Sequence, residues 1–168
     1  MNKKVEKLDA LLASNNVTNW FTKEEFQDEV KSVVYRGFFT VGEVQVPTFI
    51  VLDDTVFNLA RLIITNAPVP EDRRDEVINY LNDLNGRFKI FKYYLSNEDG
   101  FVYMDVSLPG GDDFEPALLM SLLLEVVEPH LQEYYGIIID TVLGTKDAKK
   151  TRKGKTSLRV KKETSTEN

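Results

Sequence analysis

Apolar positions recur along this chain with two different periods, and the switches between them mark its elements. Val5, Leu8, Leu11 and Leu12 fall at helical spacing within Lys3–Ala13, which predicts a short amphipathic helix that Asn15-Asn16 ends. Thr22-Lys23-Glu24-Glu25 has the form of a capping box, in which a hydroxyl and a carboxylate each satisfy a free backbone N–H. Phe26 and Val30 follow one turn apart, so a second short helix is predicted from Lys23 to Lys31. From Ser32 to Thr65 the residue types change to Val, Ile, Phe, Tyr and Thr, with breaks at Val41-Gly42 and Asp53-Asp54. That stretch predicts three strands in an antiparallel meander. Pro47 has no N–H to give a ladder, which implies a bulge or a partial edge in the middle strand.

The helical period returns in PVPEDRRDEVINYLNDLNGR, with Pro70 near the first helical position and acids in the first turn, where they complement the dipole. Val77, Leu81 and Leu84 form its buried stripe with Tyr80 beside it, and Asn85-Gly86 is the stop signal. LNGRFKIFKYYL then becomes a strand, paired with FVYMDVSL through Asn97-Glu98-Asp99-Gly100. A two-residue turn at Asp99-Gly100 makes paired positions sum to 199 and sets Phe91, Tyr93 and Leu95 on the same side as Leu108, Val106 and Met104. Lys92, Tyr94 and Ser96 share the other side with Ser107, Asp105 and Tyr103, and Lys92 is expected to face solvent. Phe88 and Ile90 have the opposite parity from Phe91 and Tyr93, which predicts a bulge near Ile90-Phe91.

After Pro109-Gly110-Gly111 a long helix is predicted from Phe114 to about Tyr135, kinked at Pro129. Leu118/Leu119, Leu122/Leu123 and Val126/Val127 recur as pairs every four residues, an apolar stripe wider than one sheet contact needs. A second buried contact is implied, and Leu118, Leu122 and Val126 are its candidate protein-binding or dimer residues. Gly136-Ile137-Ile138-Ile139 fits a short strand or an apolar tail equally well.

Charge marks a boundary. Residues 145–168 hold 9 Lys/Arg and 3 Asp/Glu, a net of +6; taken from the chain's −6, this leaves −12 for residues 1–144. With only Leu158 and Val160 as large apolar residues, burial cannot offset the entropy of ordering this tail, so it is expected to be disordered. Its Lys149, Lys150, Arg152, Lys153, Lys155, Arg159, Lys161 and Lys162 are candidates for contact with nucleic acid or another anionic surface. The chain divides into an amino-terminal helix (1–15), an α+β body (16–144) and the basic tail (145–168). The 168 residues include no cysteine, which removes thiol chemistry and fits a reducing cytoplasm. No apolar stretch reaches the ~20 residues of a membrane span, and charges interrupt the amino terminus where an export signal needs an apolar run.

Chemistry is sparse by comparison. His130 is the single histidine, with no second imidazole or cysteine to share a metal and no nucleophile motif, so a structural role is expected. Asp53-Asp54 and Asp112-Asp113 with Glu115 lack the spacing that aims several oxygens at one cation, and suit turns and helix caps. Phosphate-cradling glycine motifs and the common hydrolase strings are absent from the sequence, so no cofactor is implied.

Helix, three-strand meander, helix, hairpin, long helix is an order that resembles the YbjN family, bacterial sensory-transduction-regulator-like proteins that share the fold of type III secretion chaperones. The resemblance runs from Trp20 to Ile138 and rests on VPEDRRDEVINYLNDLNGRFKIFKYYLSNEDGFVYMDVSLP, where a helix ending near Leu81-Asn82-Asp83-Leu84-Asn85 enters a hairpin with an acidic glycine turn and closes on Leu108-Pro109. The paired leucines of the final helix and its Glu128-Pro129 are similar to the family's. It implies an α+β domain with a five-stranded antiparallel sheet, helices packed on it and often a dimer, with no catalytic residues to carry over. Its chaperone relatives bind partner polypeptides on apolar surface. The expectation is a non-enzymatic, cytoplasmic protein-binding or regulatory domain, a homodimer with an unidentified protein partner. The alternatives are a nucleic-acid accessory protein acting through its tail and a small enzyme with an unrecognised site.

Overall fold

The structure, a computed structural model, describes residues 2–145; the basic candidates from Lys149 to Lys162 lie outside them. The elements in chain order are α1 (Lys3–Ser14), a 3₁₀ turn (Thr18–Trp20), β1 (Thr22–Glu25), β2 (Val33–Val41), β3 (Val44–Leu52), β4 (Phe57–Ile63), α2 (Arg74–Arg87), β5 (Phe91–Leu95) and β6 (Val102–Pro109). A last helical run follows as α3 (Pro116–Ser121), a π-helical segment (Leu122–Val127) and α4 (Glu128–Leu143). The fold is α+β, and its one antiparallel sheet has six strands in the order β1-β2-β3-β4-β6-β5 rather than the five expected.

The sixth strand is the segment predicted to be the second helix. Thr22–Glu25 is β1, laddered to Val33–Arg36, and Phe26 donates its N–H to the Ser32 carbonyl at 2.8 Å. A capping box is a local preference worth about 1 kcal/mol. Here it is outweighed by the ladder and by two ion pairs along it: Arg36 donates twice to Glu24 Oε2, and Lys23 Nζ donates to Asp9 Oδ2. The meander β2-β3-β4 is as predicted. Its β2–β3 register runs from Val33↔Leu52 to Val41↔Val44 with no bulge. Pro47 meets the other expectation, since pairing of β3 with β4 begins only at Thr48, beyond which that side of β3 is a free edge.

Register puts inward residues in line across all the strands. Lys23, Tyr35, Ile50, Ala60, Val106 and Phe91 are successive cross-strand partners, and the last five are at most 1% exposed. Every described helix packs on this face. Val5, Leu8 and Leu12 of α1 join the same core, and the Tyr35 hydroxyl, nearly buried, donates to Asp9 Oδ1 at 2.8 Å. Lys4, also buried, gives its Nζ to the Thr55 carbonyl and so ties α1 to the loop before β4.

The hairpin differs from expectation in detail. Phe91 pairs with Val106, Tyr93 with Met104 and Leu95 with Val102, so paired positions sum to 197. The connection is the four-residue loop Asn97–Gly100, with Gly100 at φ 76°. A shift of two residues preserves parity, so Phe91, Tyr93 and Leu95 keep their predicted face with different partners. The parity break at Phe88–Ile90 is a bend between α2 and β5, not a bulge. Lys92 is no idle solvent neighbour: its Nζ donates to the Asn85 and Phe88 carbonyls at 2.7 Å each and caps the C-terminus of α2. The Asn85 side chain meanwhile donates to the Tyr93 carbonyl and accepts the Tyr93 N–H, filling the outer edge of β5 like one residue of a further strand.

The final helix runs to Leu143, absorbing Gly136–Ile139 instead of releasing them as a strand or tail. A four-residue repeat advances about 40° per step in an α-helix of 3.6 residues per turn, so Leu119, Leu123, Val127 and Leu131 would wind about 120° off their line. All four are 0% exposed. The wider π turn, in which the Glu128 N–H reaches back to the Leu123 carbonyl, takes up that surplus just before Pro129, which has no N–H to offer.

Gly37 of β2 is a point of close approach. A Cβ there would lie 2.8 Å from the Trp20 carbonyl oxygen and 2.8 Å from Phe21 Cδ1, because the segment leading from the 3₁₀ turn into β1 runs against β2 at this residue. Gly37→Ala is expected to lower stability by about 1–3 kcal/mol, the usual cost of overpacking, as read from urea unfolding. An unchanged midpoint would show that this segment yields without strain.

Candidate protein-binding groove

Two apolar clefts lie side by side where the helix layer stops short of covering β2 and β3. Their dividing wall forms because α1 ends abruptly. The Asn15 side chain donates to the Leu11 carbonyl, and Asn16 takes the left-handed conformation (φ 56°) that asparagine tolerates better than most residues. Val17 N–H then returns to the Leu12 carbonyl, and the 3₁₀ turn sets Trp20 upright, 48% exposed.

One cleft, of about 350 Å³, is lined by Asn19, Trp20, Phe21, Phe38, Phe39, Thr40, Thr48, Met120, Leu124 and Glu128. Its neighbour, of about 340 Å³, is lined by Leu11, Leu12, Asn15, Val17, Trp20, Ala117, Met120, Ser121, Leu124 and Glu125. Trp20, Met120 and Leu124 belong to both, so the two form one interrupted groove along the α3 and π-helical segments. Each half sits at the low end of the roughly 300–1,000 Å³ typical of ligand pockets, a size suited to one or two side chains. Glu125 and Glu128 are the sole ionisable residues of the lining, and both stand on the helical wall.

The stripe singled out from sequence lies beside this groove. Leu118 is 54% and Val126 38% exposed and Leu122 is half-buried, yet none of the three lines either cleft. Met120 and Leu124, two residues along in each case, do. Trp20, Phe38 and Phe39 were not expected from the sequence, because their convergence depends on the close approach at Gly37.

His130 is placed in the core, 6% exposed, inside an aromatic cluster built by the stretch 88–93. Its ring stacks on Tyr134 with centroids 4.6 Å apart and meets Phe88 and Phe91 at 4.4 and 4.5 Å. Its Nε2 is 2.9 Å from the Tyr93 hydroxyl, while Nδ1 has no hydrogen-bond partner among the described residues. Burial therefore pushes the imidazole down to about 4, and burial also raises the Tyr93 phenol. Both groups are neutral at physiological pH. Asp53 accepts from the Thr55 N–H and hydroxyl, and Asp113 from the Gly111 N–H, so both serve turns. Among the described residues no three His, Asp or Glu side chains gather to hold a metal ion, and no helix is long and apolar enough to cross a membrane.

A histidine whose folded pKa lies below its unfolded value binds its proton more readily in the unfolded chain. Its contribution is complete above about pH 6.5 and is lost as pH falls toward 4. Urea unfolding of the wild type is expected to show an extra slope in that window, up to about 1.4 kcal/mol per pH unit for one proton. The slope should be missing in His130→Phe; equal slopes would mean that His130 protonates freely in the folded state.

No protein-family model matches the chain, and no curated protein matches it either.

Proposed function

We propose that this chain is a non-enzymatic, cytoplasmic protein-binding domain of regulatory or chaperone-like kind, akin to the YbjN family and its secretion-chaperone relatives. It acts by seating an apolar segment of a partner polypeptide in the groove on either side of Trp20. The observation that carries this reading is the groove itself, two adjoining side-chain-sized clefts with Trp20, Met120 and Leu124 shared between them, lined mainly by apolar residues with a polar rim that includes Asn15, Asn19, Glu125 and Glu128, which the described helices leave uncovered. Exposed apolar surface concentrated at one place marks an interaction site more often than scattered exposure does. Its two glutamates, on one wall, favour a segment in which two large apolar residues are flanked by Lys or Arg on that side. The π-helical turn supports the same reading, since such turns collect at functional positions and this one presents Leu124 and Glu125 to the groove. Self-association is part of the proposal, as the sequence reading had it.

Trp20 is the single tryptophan of the chain, so its fluorescence reports on the groove alone. Affinity capture from the native host with the full chain is expected to retain a partner that Leu124→Glu loses, and that partner's segment should shift the Trp20 emission to shorter wavelength. Recovery of the same proteins by wild type and Leu124→Glu, with no change in Trp20 emission, would contradict the assignment.

A further inference from the structure

All the described helices pack on one face of the sheet, and the opposite face carries a pattern that an exposed sheet does not need. An antiparallel sheet with one wet face normally alternates apolar inward and polar outward. Here the outward positions of the central strands include Val34 on β2, Phe49 and Val51 on β3, and Leu59 and Ile63 on β4, beside the polar Arg36, Thr40, Gln45 and Arg61. Tyr103 on β6 and Tyr94 on β5 extend the apolar set, with rings stacked at 5.4 Å. The outward face of β2, β3 and β4 therefore carries an apolar patch centred on the row Val34, Val51 and Leu59, and no described helix packs on it.

The two arginines of this face are each paired with a carboxylate on it, while Lys92 is turned to the carbonyls at the end of α2. Cross-strand register sets Arg36, Phe49, Arg61, Asp105 and Lys92 in a single row. Arg61 donates twice to Asp105 at 2.8 Å, and its guanidinium lies 5.4 Å from the Tyr103 ring. Arg36 donates twice to Glu24 and lies 5.4 Å from the Phe49 ring. The face is thus close to neutral within a body, residues 1–144, that carries −12.

We propose that a second copy of this chain packs on this open face, sheet against sheet. The proposal rests on the reading of the chain as self-associating and moves the contact from the Leu118–Leu122–Val126 stripe to the sheet. Two strongly acidic bodies repel wherever their charges meet, and a neutral apolar plane is where that repulsion is least. Area agrees: six strands about 4.8 Å apart and roughly 20 Å long give about 500 Å² per copy, or about 1,000 Å² in all, the lower bound for a specific interface. Edge-to-edge pairing, the other route for sheets, is disfavoured at the two outermost strands. β1 is four residues long and charged at three of them, and the Asn85 side chain occupies the N–H and C=O of Tyr93 on β5. Aligned packing would set the two sheets about 10 Å apart.

Sedimentation equilibrium of the full chain tests this. The wild type should be a dimer at tens of micromolar, Leu59→Lys should weaken it at least tenfold, and Leu118→Lys with Val126→Lys should leave it unchanged. Should Leu59→Lys fail to fold by circular dichroism, Ser107→Cys decides, since the chain has no other cysteine: a short bis-maleimide should link it into dimers but leave Leu118→Cys unlinked. A wild-type monomer, or a dimer lost in the helix variants and kept in Leu59→Lys, overturns the proposal. The Trp20 titration does not depend on the result, so groove binding and dimerisation fail separately.

Discussion

Everything in this molecule is arranged around one inward row of the sheet, in which Tyr35, Ile50, Ala60, Val106 and Phe91 are consecutive cross-strand partners buried under the helices. A one-residue slip in any strand would send its entire apolar set to the other face. Each helix holds the register at a different point: α1 through the Tyr35–Asp9 hydrogen bond, α2 through Asn85 on the backbone of Tyr93, and α4 through His130 against Phe91 and Tyr93. Those polar contacts are few and sit among apolar side chains, where water competes least and an unmade bond costs most.

The uncovered surfaces follow from the same row. The helix layer leaves a gap over the sheet. The gap falls where the chain leaves α1, runs against β2 at Gly37 and enters β1, beside the π-helical turn. That geometry leaves Trp20 standing between two clefts. On the other side of the sheet the strands β2, β3 and β4 keep apolar residues at several outward positions with no described helix above them, so the described residues present two apolar surfaces of different character. The first is concave with an acidic wall, and the second is flat with its two arginines paired to carboxylates.

Much of the frame could be read from residue order because its signals are local and periodic. The run of β-branched and aromatic residues over 32–65, with its breaks at Val41-Gly42 and Asp53-Asp54, and the stripe Val77, Leu81 and Leu84 are local signals, and the meander and α2 form where they predict. Thr22–Glu25 misleads for the opposite reason. Its side chains favour a helix start locally, while its strand pairing depends on Val33–Arg36, on Asp9 and on a loop between, none of which a short window contains. The hairpin register was off by two because Ser96 and Phe101, not Glu98 and Phe101, close the loop. The four-residue repeat of Leu119, Leu123, Val127 and Leu131 carried the signature of the π turn, visible once its drift against 3.6 residues per turn is counted. The groove was the least accessible part. Its walls come from α1, the 3₁₀ turn, β2, α3 and the π-helical segment, and only Met120 and Leu124 neighbour the Leu118–Leu122–Val126 stripe that the sequence predicts.

Intermolecular contacts between methyl groups give the most direct view of how this domain uses its apolar surface. In a sample mixing one copy labelled at Val, Ile and Leu methyls with an unlabelled copy, isotope-filtered nuclear Overhauser spectra should show contacts from Val34, Val51, Leu59 and Ile63 to the other chain. Contacts confined to Leu118, Leu122 and Val126, or none at all at a concentration where the chain is dimeric, would contradict the account.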